Sequence, residues 1–315
     1  MSTAPTSNAD LRARLFAVEA EISEHRRHLK ELESHRRSIL DELGRIVYPV
    51  LSLPNEITTE IFLQSLPNLP GPHPNVHCFP LTPLSVCRAW RALAISTPRL
   101  WVRLGLNLCS ARLRTHLSEI VDDWFSRAGS HLSTLIVRAH NWKKGDAISD
   151  AVRPILHRHG LRLQAVDFQM TEEQYNMLAD VVQFPLLEDV TLDLADYWEY
   201  IDSNIRLFSD TPRLTRLTLG RGVLPHRIHL PYQQLDKLVI KYQIALEGIS
   251  DVLRDAANLR HLHCSLFEPE NASTRVEHLN LRTLTLGNDS SALIFPFIRF
   301  PALQNLVLFH QWLCQ

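Results

Sequence analysis

One short apolar unit, repeated down the chain after residue 130, constrains the fold more than any other feature. The unit is an apolar residue, two others, an apolar residue, one other, and a third apolar residue. Copies stand at Leu132/Leu135/Val137, Leu163/Val166/Phe168, Leu187/Val190/Leu192 and Leu214/Leu217/Leu219. Further copies follow at Leu235/Leu238/Ile240, Leu259/Leu262/Cys264, Leu281/Leu284/Leu286 and Leu303/Leu306/Leu308. First positions lie 31, 24, 27, 21, 24, 22 and 22 residues apart. The alternating tail of each unit has the period of a short strand with one buried side. Connections of this length bring each strand back parallel to the last, through a helix or an irregular turn. Such a unit buries its apolar side only against its neighbours, so the copies must stack.

The spacing is mostly within or near the roughly 20–29 residues of leucine-rich repeats. The expected fold class is therefore α/β, with a right-handed leucine-rich-repeat solenoid of about eight repeats over residues 102–315. At its front, Val102, Leu104, Leu106 and Leu108 alternate as a strand. Leu113, Leu117, Ile120, Val121, Trp124 and Phe125 form the apolar side of a helix that Gly129 stops. This strand and helix are expected to start the solenoid and cover its first open edge. At the back, only Phe309 to Gln315 follow the last strand, which leaves Leu303, Leu306 and Leu308 on an uncovered edge. The expectation is a truncated or alternatively ended form of a longer protein, its C-terminal cap missing. The alternative is an edge covered by a partner or a second copy.

The N-terminal segment, residues 1–47, carries a heptad. Steps of four and three from Leu11 reach Leu15, Val18, Ile22, His25, Leu29, Leu32, Arg36, Ile39, Leu43 and Ile46. All but His25 and Arg36 are apolar, as a coiled-coil seam requires. Ser7, with Asp10 three residues on, is a plausible N-cap. Two readings stand: an amphipathic helix lying on its own protein, or self-association through a coiled coil.

Residues 48–101 read as a small helical module. Pro54 fits the first turn of a helix that carries Ile57 and Ile61 on one side, with Phe62 beside them. Residues 67–83 hold six prolines and Gly71, and read as an exposed loop. Thr82-Pro83 restarts a helix through Leu84 to Ala94, with Val86, Trp90 and Leu93 as one apolar stripe. Thr97-Pro98 caps a further short turn into Leu100-Trp101.

These residues resemble the F-box. The match runs through Leu53-Pro-x-Glu-Ile-x-x-x-Ile-Phe and Leu84-x-Val-Cys-Arg-x-Trp-Arg-x-Leu-Ala-x-x-x-Pro-x-Leu-Trp101. It is similar to the F-box-like proteins of mushroom-forming fungi, which often carry a short coiled coil in front; Trp124 to Gly129 shares their flavour. The proline-rich link is longer than in a minimal F-box. The resemblance implies docking on a Skp-type adaptor and, through it, a cullin–RING ubiquitin ligase of the SCF class. It assigns the adaptor-binding surface to Leu53, Pro54, Ile57, Ile61, Leu84, Val86, Trp90 and Trp101, with a tryptophan as central anchor. The chain is then expected to be no enzyme but an adaptor that presents a protein substrate. The runner-up is a scaffold whose F-box acts outside a ligase.

The rest of the sequence argues by exclusion. Charged residues make up 21% of the 315, with a net charge of −1, so no basic domain points to nucleic acid. No apolar run reaches the ~18 residues of a membrane span, and the N-terminus has no signal-peptide core. Five scattered cysteines without a CxxC pair suit a reducing compartment, cytoplasmic or nuclear. The clusters His157-Arg158-His159 and His261-x-His263-Cys264 lack standard zinc spacing, so no metal and no cofactor is expected. Cys87 sits on the apolar stripe and reads as packing. Substrate contacts are expected on the concave face, at Asp167, Asp189, Thr191 and Asp193, then Arg216, Lys237 and Lys241. That series runs from acidic to basic. It is either a charged recognition groove or a set of solvated charges that only keep the solenoid soluble.

Overall fold

The computed structural model describes residues 7–45, 52–67, 80–108, 116–138, 148–179, 182–194, 204–266, 275–287 and 295–309. Leu113 and Ile46 lie outside these, as does most of the proline-rich loop. The chain divides into two units, Met1–Thr58 and Thr59–Gln315.

In the smaller unit the heptad becomes one helix, α1 (Asn8–Arg45). Ser7 caps it: its hydroxyl accepts from Ala9 N at 3.2 Å, and its carbonyl accepts from Asp10 N at 2.9 Å. None of its side chains is buried. Helix α2 (Asn55–Gln64) begins here and runs on into the larger unit, with Pro54 just ahead of it.

The larger unit begins with helices α3 (Thr82–Val86) and α4 (Arg88–Ile95), then a 3-10 turn, Pro98–Leu100. Strands follow: β1 (Arg103–Asn107), β2 (Ser133–Arg138), β3 (Leu163–Met170), β4 (Asp189–Leu194), β5 (Arg216–Leu219) and β6 (Lys237–Ile244). After them come β7 (His261–Leu266), β8 (Val276–Glu277), β9 (Thr283–Gly287), β10 (Ile298–Arg299) and β11 (Asn305–Phe309). Helices α5 (Leu117–Arg127), α6 (Ile148–His159), α7 (Glu172–Ala179) and α8 (Leu246–Asp255) lie in the connections. Among the described residues nine strands form one parallel sheet, in the order β1-β2-β3-β4-β5-β6-β7-β9-β11. β8 and β10 make a separate parallel pair. The architecture is α/β, with a long N-terminal helix and a sequential parallel sheet, consistent with a repeat solenoid.

Most of the sequence units build their strand by the same local rule. The first leucine closes a turn, donating N–H to the carbonyl three residues back: Leu163 to Gly160, Leu187 to Phe184, Leu214 to Thr211, Leu235 to Tyr232, Leu259 to Ala256, Leu303 to Phe300. Its second apolar residue stands in register with those of its neighbours, giving the row Leu104, Leu135, Val166, Val190, Leu217, Leu238, Leu262, Leu284 and Leu306. From Leu104 to Leu284 that row is buried in one continuous core, joined by Val121 and Phe125 of α5. At β11 the burial stops: Leu306 and Leu308 are exposed, although their partners Leu284 and Leu286 are not. At the other end α5 ends as expected, with Gly129 at φ +60°. Arg162 ties that end to the sheet by donating to the carbonyls of Gly129 at 2.6 Å and His131 at 3.0 Å.

Candidate docking surfaces

The first candidate surface belongs to the helical module. The expected single helix from Leu84 to Ala94 is two helices, because Cys87 is extended (φ −154°, ψ 170°). Its Sγ then caps α4 by accepting from Trp90 N at 3.4 Å. Cys87 is thus a cap, not a member of a continuous apolar stripe. Arg91 holds the corner from the far side, donating Nε–H to Leu84 O at 2.7 Å.

The break decides which residues face inward. A small core gathers Phe62, Ala94, Leu100, Trp101 and Ala128, with Leu84, Trp90, Leu93 and Trp124 packed against it. Trp90 meets Phe62 edge to face at 5.1 Å. Trp101 is 0% exposed. Its Nε1–H donates to Ala94 O at 2.8 Å, its ring lies edge to face with Trp124 at 4.8 Å, and the Arg127 guanidinium covers it at 4.5 Å.

The expected adaptor residues therefore separate into two sets. Trp101 is removed from the docking set: it is wholly enclosed and pins the helical module to α5. Trp90 and Leu84 are half-buried in the small core, so the expected tryptophan anchor is not an open one. Val86 is 55% exposed and Ile61 45%, with Ile95 of α4 also exposed. In the smaller unit Ile57 is 51% exposed, and Leu53 and Pro54 are also exposed.

The second candidate surface is the face of the sheet opposite the buried leucines. All the expected charged residues lie on it, but Asp167 and Asp189 are engaged. Arg138 clasps Asp167 with both terminal nitrogens, one of them 2.8 Å from Oδ1, and also donates to Asp167 O at 2.9 Å. Asp189 accepts from Arg216 Nε at 2.9 Å, across two strands in register. Lys237 follows Arg216 in the same row, with His261 beyond it. Lys241 falls where the β6–β7 register shifts, between Val239 and Gln243, and so leaves the regular rows.

Asp193 is the most perturbed of these acids. Burial pushes its carboxyl up to about 6, against the pull of Arg138, Lys241 and Arg221, with Asp167 adding to the rise. It fits because position 220 is glycine: a Cβ there would lie 2.7 Å from Asp193 Cγ. Nearby, the buried Tyr175 hydroxyl is 2.6 Å from Phe168 O and 3.1 Å from Asp193 O, and burial raises its pKa.

The histidine clusters have structural partners. His159 Nε2 lies 2.7 Å from Asp122 Oδ1, while Arg158 pairs with Asp122 Oδ2, and burial lowers the His159 pKa, helped by Arg162 and Arg158. His263 stacks on Phe309, and its pKa is lowered by burial and then by Lys237. Burial raises the Cys264 thiol to about 12. Among the described residues no group of three His, Cys, Asp or Glu is placed to hold a metal ion, and no helix is long and apolar enough to cross a membrane. No protein-family model and no curated protein sequence matches this chain.

Proposed function

We propose that the chain is a substrate-recruiting subunit of an SCF-type cullin–RING ubiquitin ligase, with an F-box ahead of a leucine-rich-repeat solenoid. One observation carries the reading. The helical module spends Phe62, Trp90 and Trp101 on its own core, yet leaves Ile61 and Val86 exposed. Ile57, one helical turn before Ile61, is exposed as well. Large aliphatic side chains in water on so small a module are the usual mark of an interaction site. They also occupy positions that the F-box resemblance assigns to the Skp-type adaptor. The open sheet face would take the protein substrate. Catalysis would belong to the partner enzymes, and this chain would supply proximity alone. The expected compartment is the cytoplasm or nucleus, where such ligases work.

The test is a binding measurement between the purified chain and a Skp-type adaptor. Ile61→Asp and Val86→Asp should each cost about 2 kcal/mol or more of binding, roughly thirtyfold in Kd. Their unfolding midpoints should stay at the wild-type value, since both side chains already face solvent. Unchanged affinity in both variants would overturn the docking surface. Adaptor binding without capture of a cullin would favour a scaffold over a ligase subunit.

A further inference from the structure

The heptad of α1 is complete on one side of the helix and unused within it. Leu11, Leu15, Val18, Ile22, Leu29, Leu32, Ile39 and Leu43 are 43–59% exposed. A helix of this length, about 57 Å at 1.5 Å per residue, carries five to six heptads. In coiled-coil register Leu15, Ile22, Leu29, Arg36 and Leu43 take one seam position, and Leu11, Val18, His25, Leu32 and Ile39 the other.

The flanking positions name the occupant. In a parallel, in-register pair, each residue just before the first seam position faces the residue five further along the partner. Arg14 then faces Glu19 of a second copy, Glu21 faces Arg26, and His28 faces Glu33. The next such pair sets His35 against the uncharged Leu40, so no like charges meet along these flanks. Arg14, Glu19, Arg26 and Glu33 make no ion pair among the described residues. Glu21 and His28 have only loose contacts, with His25 and Glu31 respectively, each 3.8 Å apart and largely exposed. The charge order, basic then acidic then basic then acidic by heptad, therefore complements itself only when a second helix lies beside the first. His25 and Arg36 would each meet their own copy across the seam. Such polar layers cost stability but fix one register and favour two strands over three. The long Arg36 side chain reaches from a two-stranded seam to water.

We propose that α1 is the dimerisation element of this chain, a parallel, in-register, two-stranded coiled coil with a second copy of itself. The pairing depends on α1 alone and holds whether or not the chain joins a ligase.

Sedimentation equilibrium of the full chain tests it, with a dimer expected at twice the 36.2 kDa of one chain. Leu29→Asp, in mid-seam, should return the chain to monomer. Charge variants guard against a merely unfolded helix. Arg26→Glu alone, and Glu21→Arg alone, each turn two attractive flank pairs into two repulsive ones, so each homodimer should weaken about tenfold. Mixing the two variants restores attraction at both pairs, and the mixed dimer should regain wild-type affinity. A monomeric wild-type chain at micromolar concentration would overturn the proposal, as would a mixture no tighter than its components. The first outcome would place α1 on another surface, and the second would exclude the parallel register.

Discussion

Trp101 separates a core residue from a docking residue, and truncation to alanine makes the difference measurable. The ring is fully enclosed, bonded to Ala94 O, packed on Trp124 and covered by Arg127. A buried tryptophan removes ~150–250 Å² from water, so at ~25 cal/mol per Å² its burial is worth about 4–6 kcal/mol as an upper figure. Measured truncations of buried aromatics cost about 3–5 kcal/mol. Trp101→Ala should therefore lose about 4 kcal/mol, read as a lower urea midpoint by far-UV circular dichroism. Trp101→Phe keeps much of the apolar contact but loses the hydrogen bond and some volume, and should lose about 1–2 kcal/mol. At temperatures where it remains folded, Trp101→Phe should bind a Skp-type adaptor with wild-type affinity. The reasoning is wrong if Trp101→Ala unfolds at the wild-type midpoint while adaptor binding disappears. That pattern belongs to an exposed anchor.

Two further perturbations probe the sheet face at Asp193. Gly220→Ala places a methyl against Asp193, and should cost about 1–3 kcal/mol of unfolding free energy. Adding Asp193→Ala should recover most of that loss, and an additive double mutant would show that the two sites do not touch. The raised Asp193 pKa makes folding bind a proton between its ordinary value, 3.8, and about 6. This group's contribution to stability therefore rises as pH falls through 6 and is complete below 3.8. Asp193→Asn should remove that slope and stabilise the chain at neutral pH by at most about 3 kcal/mol. Urea midpoints across the range, wild type against variant, check both the sign and the size.

The parts of the fold that were legible in the sequence rest on local periodicity. Alternation at period two marks which strand residues are buried, and the first leucine of most units closes a turn within three residues. The N-terminal helix follows from its heptad in the same way. The helical module was less legible because its pattern runs smoothly through a break. Val86, Trp90 and Leu93 lie on one stripe only if Cys87 is helical. With Cys87 extended, Val86 faces solvent and Trp90 turns toward Phe62. Cysteine is a weak capping residue, so composition offers little warning. Trp101 was assigned by resemblance to a surface that the chain itself covers. Its partner Trp124 and the covering Arg127 come from α5, beyond the intervening strand, where no local pattern points to the contact.

The charged series on the sheet shows the same limit in electrostatic form. Strand spacing places Asp167, Asp189 and Asp193 on one face, and counting signs along it yields an acidic half and a basic half. Charge on a parallel sheet, however, is settled between strands. Asp167 lies 29 residues from the arginine that clasps it, and Asp189 27 from its own. Asp193 is held largely out of water, which favours its neutral form at mildly acid pH. Asp167 and Asp189 are thus neutralised in place, by ion pairs that a ligand would have to break. Lys237 makes no ion pair among the described residues, and a register shift sets Lys241 apart. The exposed charge left on this face is therefore positive and centred on β6. Its sign comes from which carboxylates are already engaged, and a sum along the chain does not contain that information.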